Sequence, residues 1–174
     1  IEMASISGLP LIREEQRNPM RTTTYGTGEL IRDALEKGCD HFIIGIGGSA
    51  TNDAGIGMLQ ALGFRFLDAD GNILGQGGEI LEKVAHICTQ EIHPSLKNAH
   101  FIVACDVQNP FYGPFGAAHV YARQKGADDQ MIMELDEGMR HFARVIQTTT
   151  GKDIAHVAGS GAAGGLGGGM MAFL

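Results

Sequence analysis

The sequence has 174 residues and a mass of 18.5 kDa, with thirteen Lys and Arg against twenty Asp and Glu and a formal net charge of −7. That size suits one compact domain with a sizeable core, and the acidic balance excludes a surface that tracks nucleic-acid phosphates. Glycine supplies 26 residues beside only five prolines and with no Gly-X-Y period, which excludes collagen-like and low-complexity chains and points to loops that bring backbone close to a ligand.

The chain opens on Ile1-Glu2-Met3-Ala4, extended in character and without an initiator methionine. It closes on Met170 to Leu174 with no helix stop signal, so it reads as an excised piece. A first helix is expected from Thr27 to Lys37, with Leu30, Ile31, Ala34 and Leu35 as its apolar stripe and Gly38 just past its end. Phe42 to Ile46 follows as a continuous apolar run, the pattern of a strand buried on both faces of a parallel sheet. Gly47 to Asp53 leads from it into a helix through Met58, Leu59 and Leu62, closed by Gly63.

Phe64 to Leu67 reads as a short strand, and Asp70-Gly71 as a hairpin turn before Asn72-Ile73-Leu74. After a glycine-rich bend from Gly75 to Gly78, a short helix is expected to carry Ile80, Leu81, Val84 and Ile87 until His93-Pro94 breaks it. Phe101 to Cys105 is a second fully buried strand, ending in Asp106, Gln108, Asn109 and Pro110. Asp128-Asp129 begin the longest helix, where Met131, Leu135, Met139, Phe142, Val145 and Ile146 recur at helical spacing and His141 falls on the solvated side. The densest glycine cluster, Gly159 to Gly169, leads into an apolar helical end. Alternating strands and helices predict an α/β fold with a mixed, mainly parallel sheet flanked by helices.

Cys39, Cys88 and Cys105 are odd in number and widely spaced, with no C-x-x-C, so they are expected as buried thiols in a reducing compartment. No apolar run approaches the roughly 18 to 20 residues of a membrane span, and no basic segment precedes an apolar one at the start. The expected location is the cytoplasm, with neither membrane nor nucleic acid as a partner.

Ligands of open α/β sheets sit beyond the carboxyl ends of the strands, which directs attention to two segments. Gly45 to Asp53 offers consecutive small residues whose N–H groups suit an anion, beside Ser49, Thr51 and Asn52. The other places Asp106 and Asn109 directly after Cys105, where a carboxylate suits Mg²⁺ or the proton of a substrate hydroxyl. A turn explains Asp106 and Asn109 equally well, and a first helical turn explains Asp53. Thr22 to Glu29 joins hydroxyls and glycines at a helix start, where capping alone accounts for Thr27. Lys125, beside Gly126, is either an anion-binding charge or an ordinary surface lysine.

Gly45-Ile46-Gly47-Gly48-Ser49-Ala50 also fits the dinucleotide fingerprint, with Asp68 near the offset of its acidic residue, so an NAD-binding Rossmann-type oxidoreductase domain stands as an alternative. The Walker loop is absent, because Ile146 and Asp153 occupy a glycine and a Ser/Thr position around Lys152. Asp68-x-Asp70-x-Asn72 mimics a calcium loop, yet Ile73 stands at the required glycine. The seven histidines lack metal-ligand spacing, and no G-x-S-x-G elbow presents a serine.

Taken together, Thr22 to Ile31, Ile44 to Asp53, Ala104 to Pro110, Gln124 to Ala127 and Gly159 to Gly167 closely resemble, in this order, the motifs of the type I bacterial glycerate kinases. The resemblance spans nearly the whole chain. It implies ATP-dependent phosphorylation of D-glycerate with Mg²⁺, and it makes this chain similar to the central domain of a two-domain kinase whose cleft lies against the remaining domain. It implies phosphate or carboxylate binding by Gly45, Gly47, Gly48, Ser49 and Thr51, with Asn52, Thr24, Gly161 and Gly164 in the matching motifs. Asp53 and Asp106 become candidates for Mg²⁺ or for the hydroxyl proton, Asn109 for positioning, and Lys125 for neutralising the transferred phosphoryl group. The segments matching the family's Asp-Ser-Phe-Lys-Gly and Gly-Glu-Gly motifs are missing, so the piece by itself is expected to supply one wall of the cleft.

Overall fold

The structure, a computed structural model, describes all 174 residues. In chain order it contains α1 (Ala4–Ser7), α2 (Tyr25–Glu36), β1 (His41–Gly45), α3 (Ile56–Ala61), β2 (Arg65–Leu67), β3 (His86–Cys88), β4 (His100–Ala104), α4 (Asp129–Thr150) and α5 (Leu166–Phe173). Strands β1 and β4 pair in parallel, from His41 beside His100 to Gly45 beside Ala104. The extended start of the chain adds to the other edge of β1, where Met3 N–H donates to Gly45 O and Gly45 N–H to Ile1 O, both at 2.9 Å. A separate antiparallel ribbon pairs β2 with β3. The expected mixed α/β architecture is therefore present.

Two local expectations change. The Asp70-Gly71 turn forms, but Ile73 makes only a bridge to Leu67, and the strand partner of β2 is β3. The single helix expected over Ile80 to Ile87 is a 3-10 helix from Gly78 to Lys83 followed by β3. Alternation across His86-Ile87-Cys88 suits a strand paired to Phe66, and that pairing wins over helical spacing.

The apolar runs of β1 and β4 are covered on one face only. Phe42 and Ile44 point into the core, where the Phe42 and Phe101 rings stack with centroids 4.9 Å apart. Ile43 and Ile102 point outward and are 67% and 64% exposed. Burial on both faces, the pattern the sequence predicts, is not met within these residues, because α2, α3, α4 and α5 join the core on a single side of the sheet.

Helix α4 forms as its spacing predicts, burying Leu135, Met139, Phe142 and Ile146, with the Phe142 ring edge-on to Phe66. The Asp128 carboxylate accepts the Met131 N–H at 2.8 Å and caps the helix. Asp128→Ala is expected to cost about 1 kcal/mol, the usual worth of such a cap, read as a shifted urea midpoint at unchanged slope. His141 is partly buried rather than solvated, its Nε2 lying 2.7 Å from the Val84 carbonyl. The thiols also differ from expectation: Cys39 and Cys105 are exposed and Cys88 half-buried, since each sits where an element ends. No helix is long and apolar enough to cross a membrane.

Candidate functional site

Beyond Gly45 the chain runs without regular structure to Gly55, and neighbouring segments pin it. Ala50 N–H donates to Ser7 O and Leu9 N–H to Gly48 O, both at 2.9 Å, while the Thr22 hydroxyl donates to Ala50 O at 2.7 Å. Gly48 sits at φ 67°, a left-handed conformation that glycine adopts without a Cβ penalty. Held this way, the backbone N–H groups of Gly47, Gly48 and Ser49 donate to no group of the chain. Three successive free donors around a left-handed residue form the kind of concavity that receives an anion.

The second wall is a π-helical turn, Ala118–Ala122, continued by a 3-10 turn, Arg123–Lys125. It brings Tyr121 and Lys125 to the same cavity. Lys125 is 2% exposed, and its Nζ donates to Ser49 Oγ at 2.8 Å and to the Thr51 carbonyl at 2.7 Å. No carboxylate lies within ion-pairing distance of it. Burial lowers its pKa to about 7, with the charge of nearby Asp53 opposing that shift in part. A buried ammonium with two neutral acceptors and no counter-ion is suited to a negative ligand.

The third wall is the end of β4, where Ala104 and Cys105 precede the exposed Asp106. Together the three segments enclose a cavity of about 190 Å³ lined by Gly47, Gly48, Ser49, Asp106, Tyr121 and Lys125 over apolar Ile46 and Val107. Sites for whole drug-sized ligands run to roughly 300–1,000 Å³, so this space matches a three-carbon acid or one phosphoryl group.

Several residues flagged in the sequence stand behind the cavity instead of facing it. Asp53 is fully buried, and its carboxylate accepts Thr24 N–H at 2.8 Å, the Thr24 hydroxyl at 2.9 Å, and Gly55 and Gly57 N–H at 3.2 Å. Burial raises its pKa, and those donors oppose the shift. This corrects the expectation that Asp53 meets Mg²⁺ or substrate: it fastens α2 to the start of α3. Thr24, also buried, passes the link on by accepting Met58 N–H.

Thr51 offers Lys125 its carbonyl, and Asn52 is buried with its amide directed at Met139 Sδ, 3.2 Å away. Asn109 is tied up by Tyr121, whose hydroxyl donates to Oδ1 at 2.6 Å, and by its own donation to Phe115 O. Gly161 and Gly164 are close-approach positions: a Cβ on Gly164, at φ 68°, would lie 2.1 Å from Thr51 O. Gly45 rims a broader depression beside the cavity. None of these residues lines the cavity itself.

The dinucleotide alternative is overturned. Its glycines do not open a helix, since α3 begins only at Ile56. Asp68, its acidic residue, accepts the Asp70 and Asn72 N–H groups in the turn after β2, and the Asn72 bonds hold its pKa below the usual range.

The family model described as the glycerate kinase family matches residues 1–174. The chain belongs to the glycerate kinase family. It is 51% identical over 174 residues to a protein of Escherichia coli K12 named glycerate 2-kinase, covering 100% of this chain and 46% of that one. A Haemophilus influenzae protein named glycerate kinase is 51% identical over 171 residues, 98% of this chain and 45% of the relative. A crystal structure from Salmonella typhimurium LT2, provisionally assigned as glycerate kinase 2, superposes with a TM-score of 0.96 at 50% identity over 99% of this chain and 46% of its own. The chain therefore spans about half the length of the relatives it matches.

Within this glycerate kinase fold the cavity also uses residues that sequence reading missed. Tyr121 forms one side, four residues before Lys125; its phenol pKa is raised by burial and by neighbouring Cys105 and Asp106. Ala163, at φ 53°, lends a further N–H that donates to nothing in the chain. A non-glycine residue held in that region is strained, and such strain concentrates at functional sites. The spacing of Tyr121 to Lys125 was the available signal for the first; nothing in the sequence marks the second.

Proposed function

We propose that the full-length protein transfers the γ-phosphoryl group of ATP to D-glycerate, and that these 174 residues form one α/β domain supplying one wall of the cleft. The observation that carries this reading is Lys125, a buried cation with no carboxylate partner beside three free N–H groups. The Gly47 to Ser49 donors and Lys125 hold an anionic group, either the glycerate carboxylate or the phosphoryl group in transit. Phosphoryl transfer asks chiefly for positioning and for charge opposite the equatorial oxygens, and this wall supplies both. The name of the Escherichia coli relative supports the 2-hydroxyl as acceptor.

No group of three or more His, Cys, Asp or Glu side chains forms a metal cage. Mg²⁺ is commonly held by one or two carboxylates together with substrate phosphates, and Asp106, exposed at the cavity mouth, fits that requirement. When bound with nucleotide, the cation would neutralise phosphate charge. Asp106 is also the lining carboxylate to which we assign receipt of the hydroxyl proton.

The test is ATP-dependent phosphorylation of D-glycerate by the full-length protein, with the product identified by phosphorus NMR. Absence of turnover with glycerate overturns the reading. Asp106→Asn is expected to lower kcat by about a hundredfold, the low end for a lost acid-base group. Recovery at high Mg²⁺ assigns the residue to the metal; loss of the acidic limb of the pH profile assigns it to the proton.

A further inference from the structure

The outer face of the main sheet is bare. Ile43 and Ile102 are register partners on adjacent parallel strands, and both project to solvent. Parallel strands occur almost entirely in sheets covered on both faces, because their crossovers lay helices on each side. Here the helices of these residues join a core on one side, and β4 pairs only with β1, leaving its far edge free.

The composition of the face changes along the strands. His41 and His100, with ring centroids 4.9 Å apart, stand at the beginning; the two isoleucines form the middle; Gly45 and Ala104 end it. At that end the Glu2 carboxylate lies over Gly45, where a Cβ would meet its Oε2 at 2.6 Å, so the apolar part of the face is the Ile43–Ile102 pair. Past them the face opens into a depression of about 640 Å³ bounded by Glu2, Gly45, Gly47, Gly48, Ala104 and Asp106. The bare face and the candidate site thus share a border.

We propose that this face is the seat of the remainder of the full-length protein, and that an amphipathic helix from that remainder lays its apolar stripe over Ile43 and Ile102. The relatives supply the length for it, since this chain covers only 45–46% of them. A helix seated there reaches the rim at Gly45 and Ala104 and brings the rest of the protein to Asp106. The inference rests on family membership and the bare sheet, and it stands or falls separately from the activity.

The experiment uses the full-length protein with its native cysteines replaced, into which Ile43→Cys, Ile102→Cys or Ile73→Cys is introduced. Ile73 lies outside this face in the turn after β2 and is 65% exposed, so it is the accessible control. The expected result is maleimide labelling at positions 43 and 102 at least about tenfold slower than at 73, with denaturant restoring the rate, since reaction requires local opening. Equal rates at all three overturn the proposal. Protection that disappears on dilution as a dimer dissociates, followed by light scattering, overturns it too, because a second copy is then the cover. Carbene footprinting of the unsubstituted protein gives the same comparison should a cysteine variant fail to fold. Labelling does not depend on turnover, so a catalytically inert protein with a protected face retains this inference and refutes only the kinase reading.

Discussion

Lys125→Met in the full-length protein is expected to lower kcat/KM for glycerate phosphorylation by about 10³, the upper range for losing one group aimed at developing charge. Its ammonium makes only two hydrogen bonds, to Ser49 and Thr51, and lies against the cavity. Methionine keeps much of the buried length and removes the charge. The same residue sets a pH dependence. Below about pH 7 the empty site already holds the charged form; above it, binding an anion requires uptake of a proton. The dissociation constant for sulfate, whose charge does not change over this range, should therefore rise about tenfold per pH unit above 7, and it should be flat in Lys125→Met. Calorimetry from pH 6 to 9 in buffers of different ionisation enthalpy checks both the slope and the proton, and a flat wild-type curve refutes the role.

Stability should move with pH in the opposite sense to binding. Lys125 has its folded pKa depressed from 10.5 to about 7, so the unfolded chain binds the extra proton between those values. The cost of burying the charge is fully present below pH 7 and fades as pH rises toward 10.5. The stability of the wild type relative to Lys125→Met should accordingly climb by up to about 1.4 kcal/mol per pH unit across that window. An unliganded site that is destabilised by the cation needed to bind its anion is the expected trade.

Asp53→Ala is expected to destabilise the protein by about 3–5 kcal/mol, since several buried donors lose their shared acceptor at about 1–3 kcal/mol for each left unsatisfied. The substitution leaves the Thr24 hydroxyl and three backbone N–H groups without their acceptor. Urea unfolding measures it. Asp106→Asn, at an exposed position, should stay within about 0.5 kcal/mol of the wild type in the same experiment. The two aspartates, alike in sequence as strand-following acids near glycines, thus separate: one loses the fold, the other the reaction. Equal stability of the two variants would falsify this division.

Position along the chain was legible in the sequence; direction was not. The strand ends that carry Gly47 to Ser49 and Asp106 follow from apolar runs closed by small and polar residues, and both segments do reach the cavity. Helix α4 followed from spacing and a capping aspartate. What the residues could not reveal is which of several neighbouring polar groups turns inward to serve the scaffold. Asp53 and Asn52 lie within four residues of Ser49, yet they bond to α2 and α4 while Ser49 faces the ligand space. The distinction depends on partners about 30 and 87 residues away, beyond the reach of any local pattern. Lys125 illustrates the converse, since an isolated lysine beside a glycine carries no mark of complete burial. The apolar runs of β1 and β4 read as strands buried on both faces, whereas Ile43 and Ile102 are exposed and only the opposite face is covered.

The bond from Lys125 to Ser49 spans 76 residues of sequence. At synthesis rates of about 5–20 residues per second, the glycine loop emerges from the ribosome several seconds before the lysine that completes it. Throughout that interval the loop's free N–H groups and the Thr51 carbonyl have only solvent or a chaperone to meet them. Anion affinity thus waits for Lys125, and a nascent protein stalled before that residue would carry the loop without the cation that completes the site.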